Sequence, residues 1–289
     1  MESTGHNQFL LPVLLAAKCA GEAILDVYDS DFAVEHKDDK SPLTLADKRS
    51  HEIIADDLKK TTTVNNQILP ILSEEGRDIP YDERKKWEYF WLVDPLDGTK
   101  EFIKRNGEFA VNIALIHANK PILGVIYVPV KDTFYFAATS LGAYKVLNSE
   151  IMTAKLSMKE LLYKSQKLPL SANNKKDSPT IIGSRSHATK ELSEFIEKIK
   201  DKHGEVKLIS AGSSLKFCLV AEGKADVYPR FGPTMEWDTA AGQVIVEQSG
   251  GRVIDIQAKE PLRYNKHNLL NPFFIVIGQN SRFENQLMQ

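Results

Sequence analysis

Two aspartates at the end of an apolar segment are the residues of this chain best suited to chemistry. Asp94 and Asp97 follow the apolar residues 91–93 and are separated by one proline and one leucine. Carboxylate oxygens can bind hard divalent cations. Gly98 and Thr99 come next, at a predicted helix start, where backbone amides can hold the phosphate that such cations polarise. As an alternative, a lone pair of this kind could cap the helix, with Asp97 as the N-cap.

Further acidic residues lie where strands or helices are predicted to begin or end. Glu74 and Glu75 follow a short apolar strand, as Asp94 does, and strand ends in open α/β sheets tend to share one edge. Asp238 stands at the predicted start of a helix whose next residues are small. Singly, the glutamates indicate a solvated turn, Asp238 an N-cap and Asp47 a surface helical residue. Together the strand-end acids predict a cation site, because buried unpaired carboxylates are costly.

The elements that must position these residues change in character along the chain. Up to about residue 150 the pattern predicts two helices followed by strands and a hairpin. Residues 148–179 are polar and rich in lysine, serine and asparagine, and after them strands alternate with helices. We therefore predict an N-terminal α+β domain over 1–150, a linker or insertion over 151–179, and a C-terminal α/β domain over 180–289.

Composition and charge exclude several classes of protein. The 289 residues are 42% apolar and 26% charged, enough for one large domain or two smaller ones. A net charge of −2 does not favour nucleic-acid binding, for which a strongly basic surface is typical. The apolar residues 9–17 are too few to span a bilayer, so no transmembrane segment is expected. Cys19 and Cys218 lack a C-x-x-C partner and predict buried, reduced thiols in a cytoplasmic protein.

Taken together, the motifs resemble the lithium-sensitive, magnesium-dependent phosphomonoesterase superfamily that includes inositol monophosphatase and fructose-1,6-bisphosphatase. Its hallmarks are Asp-Pro-hydrophobic-Asp-Gly-Thr, an upstream Glu-Glu pair and a later Trp-Asp. Within it, the chain is similar to the CysQ-type 3′(2′),5′-bisphosphate nucleotidases from about residue 10 to 278, although residues 148–179 are longer than expected for them. The narrower similarity lies in segments 94–103, 105–109, 184–187, 212–223 and 228–234.

The resemblance implies a fold and a set of metal ligands. The fold would be a five-layer α-β-α-β-α sandwich of the α/β class (α+β in some schemes), with the site between its halves. Glu74, Asp94 and the carbonyl of Leu96 would bind a first Mg²⁺. Asp94, Asp97 and Asp238 would bind a second. Glu74 and waters would bind a third, weaker ion, giving two to three Mg²⁺ per site.

Catalytic and substrate-binding roles are also implied by the resemblance. Thr99 with Asp47 would orient and deprotonate the attacking water, and Glu74 would complete the catalytic set. A bisphosphate carries a second dianion, for which Lys216 and Arg230 supply cations, and the turn 212–214 offers further amides at a helix start. The full set of implied substrate contacts is Glu74, Leu96, Asp97, Gly98, Thr99, His187, Ser213, Lys216, Arg230 and Asp238. From residue type alone, Lys216 and Arg230 are surface charges and His187 is a loop histidine.

We expect a cytoplasmic, Mg²⁺-dependent phosphatase that removes the 3′-phosphate of adenosine 3′,5′-bisphosphate (PAP), giving AMP and phosphate. It would also accept the sulfated analogue 3′-phosphoadenosine 5′-phosphosulfate (PAPS), which links it to sulfur metabolism. Alternatives are an inositol monophosphatase or other sugar-phosphate phosphatase on the same fold, and a non-catalytic nucleotide-binding regulator. A phosphoaspartyl enzyme needs its two aspartates two residues apart, whereas the spacing here is three. Either a monomer or a homodimer is compatible, as is peripheral association with the inner membrane.

Overall fold

Two large β-sheets, two small two-stranded sheets and the helices around them make up the structure. It is a computed structural model that describes residues 6–36, 42–61, 63–64, 67–147, 153, 155–170, 178–184 and 189–279. The α-helices are α1 (Leu10–Tyr28), α2 (Leu45–Thr61), α3 (Tyr81–Arg84), α4 (Thr99–Ile103), α5 (Met158–Lys164), α6 (Lys190–His203), α7 (Leu215–Ala221) and α8 (Glu236–Gln248). The strands are β1 (Val34–His36), β2 (Pro42–Thr44), β3 (Thr63–Val64), β4 (Gln67–Ile68), β5 (Ile71–Ser73), β6 (Tyr89–Asp97), β7 (Ala110–His117), β8 (Lys120–Val128), β9 (Thr133–Ala138), β10 (Gly142–Leu147), β11 (Gln166–Lys167), β12 (Thr180–Ser184), β13 (Lys207–Ala211), β14 (Val227–Arg230), β15 (Arg252–Asp255) and β16 (Phe274–Ile277).

The larger sheet has seven strands in the order β11-β10-β9-β8-β7-β6-β5. Its pairs are antiparallel except β5 and β6, which run parallel. Because side chains alternate along a strand, β6 contributes to both faces. Trp91 and Val93 pack with the apolar residues of α1 and α2. Phe90 and Leu92 pack with those of α8 on the other face.

The smaller sheet has five strands in the order β13-β12-β14-β16-β15. Helices α7 and α8 lie on the face that points toward the seven-stranded sheet. On the other face, Ile199 of α6 packs with Ile181 and Val227 of the sheet. The layers are therefore α1 and α2, the seven-stranded sheet, α7 and α8, the five-stranded sheet, and α6. This confirms the five-layer α-β-α-β-α sandwich predicted from the sequence.

Part of the polar segment between the sheets is tied to the larger one. Strand β11 pairs with β10 and so forms the edge of the seven-stranded sheet. Leu161 of α5 and Leu168 after β11 are buried. The division at residues 150 and 179 stays a prediction, but residues 155–170 pack with the elements that precede them.

Helix α8 packs closely between the two sheets because small residues face their neighbours. A Cβ built on Gly124 of β8 would lie 2.7 Å from the carbonyl oxygen of Ala241. A Cβ on Gly242 would lie 2.5 Å from the ring of Phe217 in α7. The sequence predicts close packing of this helix from its small residues, and the structure has it.

Polar contacts join the two sheets away from the site. The guanidinium of buried Arg84 donates to Asn265 Oδ1 at 3.0 Å and to the carbonyl of His267 at 2.9 Å. Glu222, just after α7, accepts a hydrogen bond from the Tyr135 hydroxyl at 2.6 Å and one from Lys145 Nζ at 2.7 Å. These contacts fix the orientation of one sheet relative to the other.

One expectation about the cysteines is wrong. Cys218 is buried within α7, as predicted, but Cys19 is exposed on α1 because it falls on the side of the helix turned away from the sheet. Among the described residues, no helix has both the length and the apolar composition needed to cross a bilayer.

Candidate active site

A bulge at the end of β6 brings the two aspartates of the central motif to one face. Asp94 is opposite Asn112 of β7, whereas Asp97 is opposite Ala110, so three steps on β6 match two on β7. In a regular strand, side chains three residues apart point to opposite faces, and the extra residue reverses that relation. Leu96, inside the bulge, packs in the core on the α1 and α2 side. Both carboxylates therefore line the same cavity.

Three carboxylates from three elements meet in that cavity. Glu74, Asp94 and Asp238 each offer an oxygen, and these atoms lie within 4.8 Å of one another. Glu74 is placed by the parallel pairing of β5 with β6, which continues in a hydrogen bond of 3.2 Å from its amide to the Val93 carbonyl. Asp238 lies in the first turn of α8, where its Oδ2 accepts the Met235 amide at 2.9 Å. Asp238 is thus the third residue of the helix and accepts the amide of the N-cap residue Met235, so it is not itself the N-cap. Its carboxylate belongs to the acidic cluster, and its role as a metal ligand stays a prediction.

Asp97 lines the same cavity but lies outside the group of three. Its Oδ2 accepts hydrogen bonds from the Ser214 amide at 2.6 Å and from Asn112 Nδ2 at 3.1 Å. Asn112 Oδ1 in turn accepts the Ser214 hydroxyl at 2.8 Å. Asn112 is a site residue that sequence reasoning missed. Asn112 lies directly opposite Asp94 in the pairing of β7 with β6, a register that no local sequence signal identifies.

Burial raises the pKa of several of these acids. Asp94 is 2% exposed, and burial raises its pKa well above the ordinary value, with further increases from the charges of Glu74, Asp97 and Asp238. Burial also raises the pKa of Asp238 and, less strongly, of Asp97, where Lys216 and hydrogen bonds oppose the change. Such a group of anions is unfavourable without a compensating cation, and its oxygens are suited to a hard divalent ion. The residues therefore fit the metal that the resemblance implies.

Asp47 is held against Thr99 by the start of α2. The Asp47 Oδ2 accepts the amide of Thr44 at 2.7 Å and its hydroxyl at 2.6 Å, an arrangement typical of a capping box. The other oxygen, Oδ1, lies 3.2 Å from the Thr99 hydroxyl, which is also 3.3 Å from the Leu96 carbonyl. Asp47 is thus 2% exposed and is not a surface residue. The Thr-x-x-Asp spacing was a usable sequence signal for this cap.

The start of α4 requires glycine. Gly98 has φ = 93°, in the left-handed region that disfavours side chains. A Cβ there would also lie 3.1 Å from Ser213 Cβ and 3.2 Å from the Glu108 carbonyl oxygen. The Gly98 carbonyl accepts the amides of Glu101 and Phe102, which begins the helix. The residues of this first turn, Gly98 to Glu101, line the cavity.

The opposite wall carries the cations. Lys216 is 6% exposed, and its Nζ donates to the carbonyls of Ser213 at 2.7 Å and Ala211 at 3.3 Å. Burial lowers the pKa of Lys216 to about 8, although Asp97 opposes that change. Arg230 Nη2 donates to the Pro233 carbonyl at 2.7 Å. Lys216 is thus held by backbone carbonyls in a buried position, whereas the bond from Arg230 to Pro233 lies at an exposed one.

The turn 212–214 differs from expectation in one respect. Two of its amides, predicted to be available to a second phosphate, donate to carboxylates of the protein: Gly212 to Glu108 Oε2 at 2.7 Å, and Ser214 to Asp97. The Ser213 hydroxyl is buried, and among the described residues it neither donates nor accepts a hydrogen bond. The turn can therefore offer a second phosphate the Ser213 hydroxyl, but not the amides of Gly212 and Ser214.

Most of the expected site residues surround one cavity of about 520 Å³. The expected residues that line it are Glu74, Asp94, Leu96, Asp97, Gly98, Thr99, Ser213, Lys216, Arg230 and Asp238. Asp47 lies behind Thr99. His187 lies outside the described residues. The arrangement puts oxygen ligands for cations beside anion donors, which is the combination that a phosphate ester requires.

Comparisons with known proteins agree with this geometry. The model of the inositol monophosphatase family matches residues 7–282. The 3′(2′),5′-bisphosphate nucleotidase CysQ of Escherichia coli K12 is 46% identical over 264 residues, which are 90% of this chain and 96% of that protein. The CysQ of Haemophilus influenzae is 36% identical over 280 residues, with 96% of each chain covered.

Solved structures give the same result. The crystal structure of CysQ from Bacteroides thetaiotaomicron superposes with a TM-score of 0.83 at 48% identity, covering 94% of this chain and 97% of that one. An inositol monophosphatase of Thermotoga maritima has a TM-score of 0.71 at 21% identity, covering 95% and 93%, and at that identity shows the fold alone. With the family model spanning nearly all of the sequence and two CysQ relatives matched over most of their length, the chain belongs to the inositol monophosphatase family.

Proposed function

We propose that the chain is a Mg²⁺-dependent phosphatase that hydrolyses the 3′-phosphate of PAP to give AMP and phosphate. The observation that carries the proposal is the meeting of Glu74, Asp94 and Asp238 within 4.8 Å, in a cavity that also contains Lys216 and Arg230. The acids suit divalent cations, and the basic residues suit a second phosphate. The CysQ relatives are named 3′(2′),5′-bisphosphate nucleotidases, which supports the same substrate class.

Five positions would hold the cations. We assign Glu74, Asp94 and the Leu96 carbonyl to one ion, Asp94, Asp97 and Asp238 to a second, and Glu74 to a weaker third. When bound, divalent cations make water a better nucleophile and neutralise the charge that develops on the phosphoryl oxygens. Asp97 would bind the second ion mainly through Oδ1, because its Oδ2 already accepts two hydrogen bonds.

Asp47 and Thr99 would orient the attacking water and accept its proton. The Thr99 hydroxyl has a single proton, which it can donate to Asp47 Oδ1, leaving its lone pairs to accept a hydrogen bond from water. Asp47 Oδ2 is held by Thr44, so the carboxylate cannot rotate away without losing two hydrogen bonds. The pair thus supplies a fixed acceptor at one position, as general base catalysis requires.

The two phosphates would be bound by different walls of the cavity. The amides of Gly98 and Thr99 at the start of α4 would hold the phosphate that is cleaved. Ser213, Lys216 and Arg230 would hold the other one. Lys216 uses two of its three ammonium donors on backbone carbonyls, which leaves one for a substrate oxygen. We include His187 in the nucleotide-binding set as well.

Several finer features belong to the same proposal. Turnover of PAPS, inhibition by Li⁺, a cytoplasmic location and a role in sulfur metabolism follow from the similarity to CysQ-type enzymes. A monomer and a homodimer are both compatible with the site, since every proposed ligand comes from one chain.

A substrate panel tests the proposal directly. Purified protein is assayed for phosphate release from PAP, PAPS and inositol 1-phosphate, with Mg²⁺ and with excess chelator. We expect PAP to have the highest kcat/KM, chelator to abolish release and added Mg²⁺ to restore it. Preference for inositol 1-phosphate would instead identify a sugar-phosphate phosphatase. Tight PAP binding without any release would identify a regulator.

A further inference from the structure

Glu108 connects the two walls of the cavity although it lies in neither. It belongs to the loop between α4 and β7, and its Oε2 accepts the Gly212 amide at 2.7 Å across 104 positions of sequence. The loop is itself held in shape, because Asn106 Oδ1 accepts the Glu108 amide at 3.0 Å. Asn106 Nδ2 also donates to Glu101 Oε2. The loop that carries the Glu108 carboxylate is therefore held in place by hydrogen bonds.

Shape adds to this hydrogen bond. The backbone carbonyl of Glu108 lies so close to Gly212 that a Cβ on that glycine would be 2.8 Å from it. On the other side, a Cβ on Gly98 would be 3.2 Å from the same oxygen. The start of α4 and the turn 212–214 thus both pack on one residue. These two approaches involve the backbone of Glu108, so a side-chain substitution there would leave them in place and remove the hydrogen bond to Gly212.

The turn that Glu108 holds has an unfavourable backbone conformation. Ser213 has φ = 46°, in the left-handed region that a serine rarely adopts. Three contacts keep it there: Glu108 on Gly212, Lys216 Nζ on the Ser213 carbonyl, and Asp97 on the Ser214 amide. Loss of the first would allow the turn to relax and move the Ser213 hydroxyl.

We propose that Glu108 is a positioning residue that fixes the 212–214 turn and thereby sets the affinity for the second phosphate of the nucleotide, without touching the substrate. The inference rests on the proposed function, in which Ser213 and Lys216 bind that phosphate. The second phosphate would be bound by the Ser213 hydroxyl and the two cations, whose position depends on the turn.

The test compares substrates with and without the 5′-phosphate, so that effects on the two phosphate-binding sites can be distinguished. Glu108→Ala should raise KM for PAP about tenfold or more, the effect expected for loss of a hydrogen bond to a charged group, with kcat within about threefold. Adenosine 3′-monophosphate lacks the 5′-phosphate, so its KM should not change. Glu108→Gln keeps an acceptor oxygen and should recover most of the PAP affinity. Exposed Glu205 gives the control Glu205→Ala, for which no change is expected.

A binding measurement provides a second readout. AMP retains the 5′-phosphate, and its Kd by equilibrium dialysis should weaken in Glu108→Ala by the same factor as KM for PAP. Equal losses with PAP and adenosine 3′-monophosphate, or a fall in kcat at constant KM, would overturn the proposal, because both indicate general damage. If Glu108→Ala does not fold, Glu108→Asp is scored by the same substrate ratio. A wild-type chain that does not hydrolyse PAP would refute the proposed function, whereas AMP binding would still decide the role of Glu108.

Discussion

At the residue scale, Asp94 is the centre of the site. It is almost completely buried, it accepts the Leu96 amide at 3.1 Å, and it faces the carboxylates of Glu74, Asp97 and Asp238. Its raised pKa means that ionisation is less favourable in the folded protein than in the unfolded chain. In the metal-free protein Asp94 should therefore reduce stability at neutral pH, and bound cations should reverse that effect.

Asp94→Asn separates these two contributions. The amide oxygen can still accept the Leu96 amide, but the charge is gone. In excess chelator at neutral pH, the variant should unfold at a higher temperature than wild type, by about 2–4 °C for each 1 kcal/mol of relieved repulsion. Adding Mg²⁺ should stabilise wild type strongly and the variant little. Phosphatase activity should fall by at least about 100-fold.

The matched control for this experiment is Asp56→Asn, which removes a charge from an exposed position of α2. It should change neither the chelator value nor the response to Mg²⁺. A metal-free Asp94→Asn protein less stable than wild type would contradict the electrostatic argument, whatever its activity.

Site residues were predictable to the extent that their signal is local. The run from Asp94 to Thr99 predicts a cation and phosphate site from residue type and spacing, with a helix cap as the alternative, and the other strand-end acids favour the first. The partners that hold it cannot be found in this way, because they are distant in sequence: Ser214 lies 117 positions from Asp97, and Gly212 lies 104 from Glu108. Sequence spacing carries no information about which remote amide points at which carboxylate.

At the element scale, α8 is the component that brings Asp238 to the other acids. Its position depends on the absence of side chains where it meets β8 and α7, at Gly124 and Gly242. Helices α1 and α2, the β7–β8 hairpin and the alternation of the C-terminal elements follow from hydrophobic periodicity, so the sequence predicts them. The bulge in β6 does not follow, because periodicity assigns the same pattern to a strand with or without an extra residue.

Gly124→Ala should displace α8. The added Cβ would lie 2.7 Å from the Ala241 carbonyl oxygen and 2.9 Å from its Cα, so the helix backbone must move. We expect a loss of about 1–3 kcal/mol of unfolding free energy, typical of overpacking. The Mg²⁺ concentration for half-maximal activity should also rise, because Asp238 moves with the helix. Denaturant unfolding and Mg²⁺ titration measure the two effects.

Gly183 of β12 provides the comparison for this substitution. A Cβ there would meet Leu192 Cδ2 at 3.5 Å, an ordinary contact. Gly183→Ala should leave stability within about 0.5 kcal/mol of wild type and Mg²⁺ dependence unchanged. Equal effects of the two substitutions would show that the contact between α8 and β8 has no special importance.

At the scale of the whole molecule, the site exists only while the two sheets keep their relative orientation. Glu222 is one of the residues that fix it: its side chain is fully buried and pairs with Lys145 and Lys224. Burial by itself would raise the pKa of Glu222, but hydrogen bonds from Lys145, Lys224 and Tyr135 outweigh it and the net change is a lower pKa. The folded protein therefore favours the ionised carboxylate.

The contribution of Glu222 to the free energy of unfolding should therefore change with pH in a defined direction. A depressed carboxyl pKa contributes stability above the unfolded value of 4.5, and the contribution is lost as the pH falls through the folded value. Glu222→Gln should lower unfolding free energy by about 3 kcal/mol at pH 7, as breaking a buried pair does. The gap between variant and wild type should narrow steadily below pH 4.5. Urea unfolding at several pH values measures it.

Glu83→Gln breaks an exposed ion pair with Arg77 and is the control. Its cost should stay below about 1 kcal/mol at any pH. A gap for Glu222→Gln that widens as the pH falls would have the wrong sign and would reject the assignment of a stabilising ionised carboxylate.

The extra residue in β6 limits which homologues of this chain can catalyse the same reaction. Aspartates two positions apart on a regular strand would also share a face. The strand would then be one residue shorter, so α4 would begin about 3.3 Å earlier along it. Gly98 could not then meet Ser213 and the Glu108 carbonyl as it does here. Insertions and deletions between the two aspartates should consequently be absent from active homologues, whereas apolar exchanges at position 96, which supplies a backbone oxygen, should be frequent.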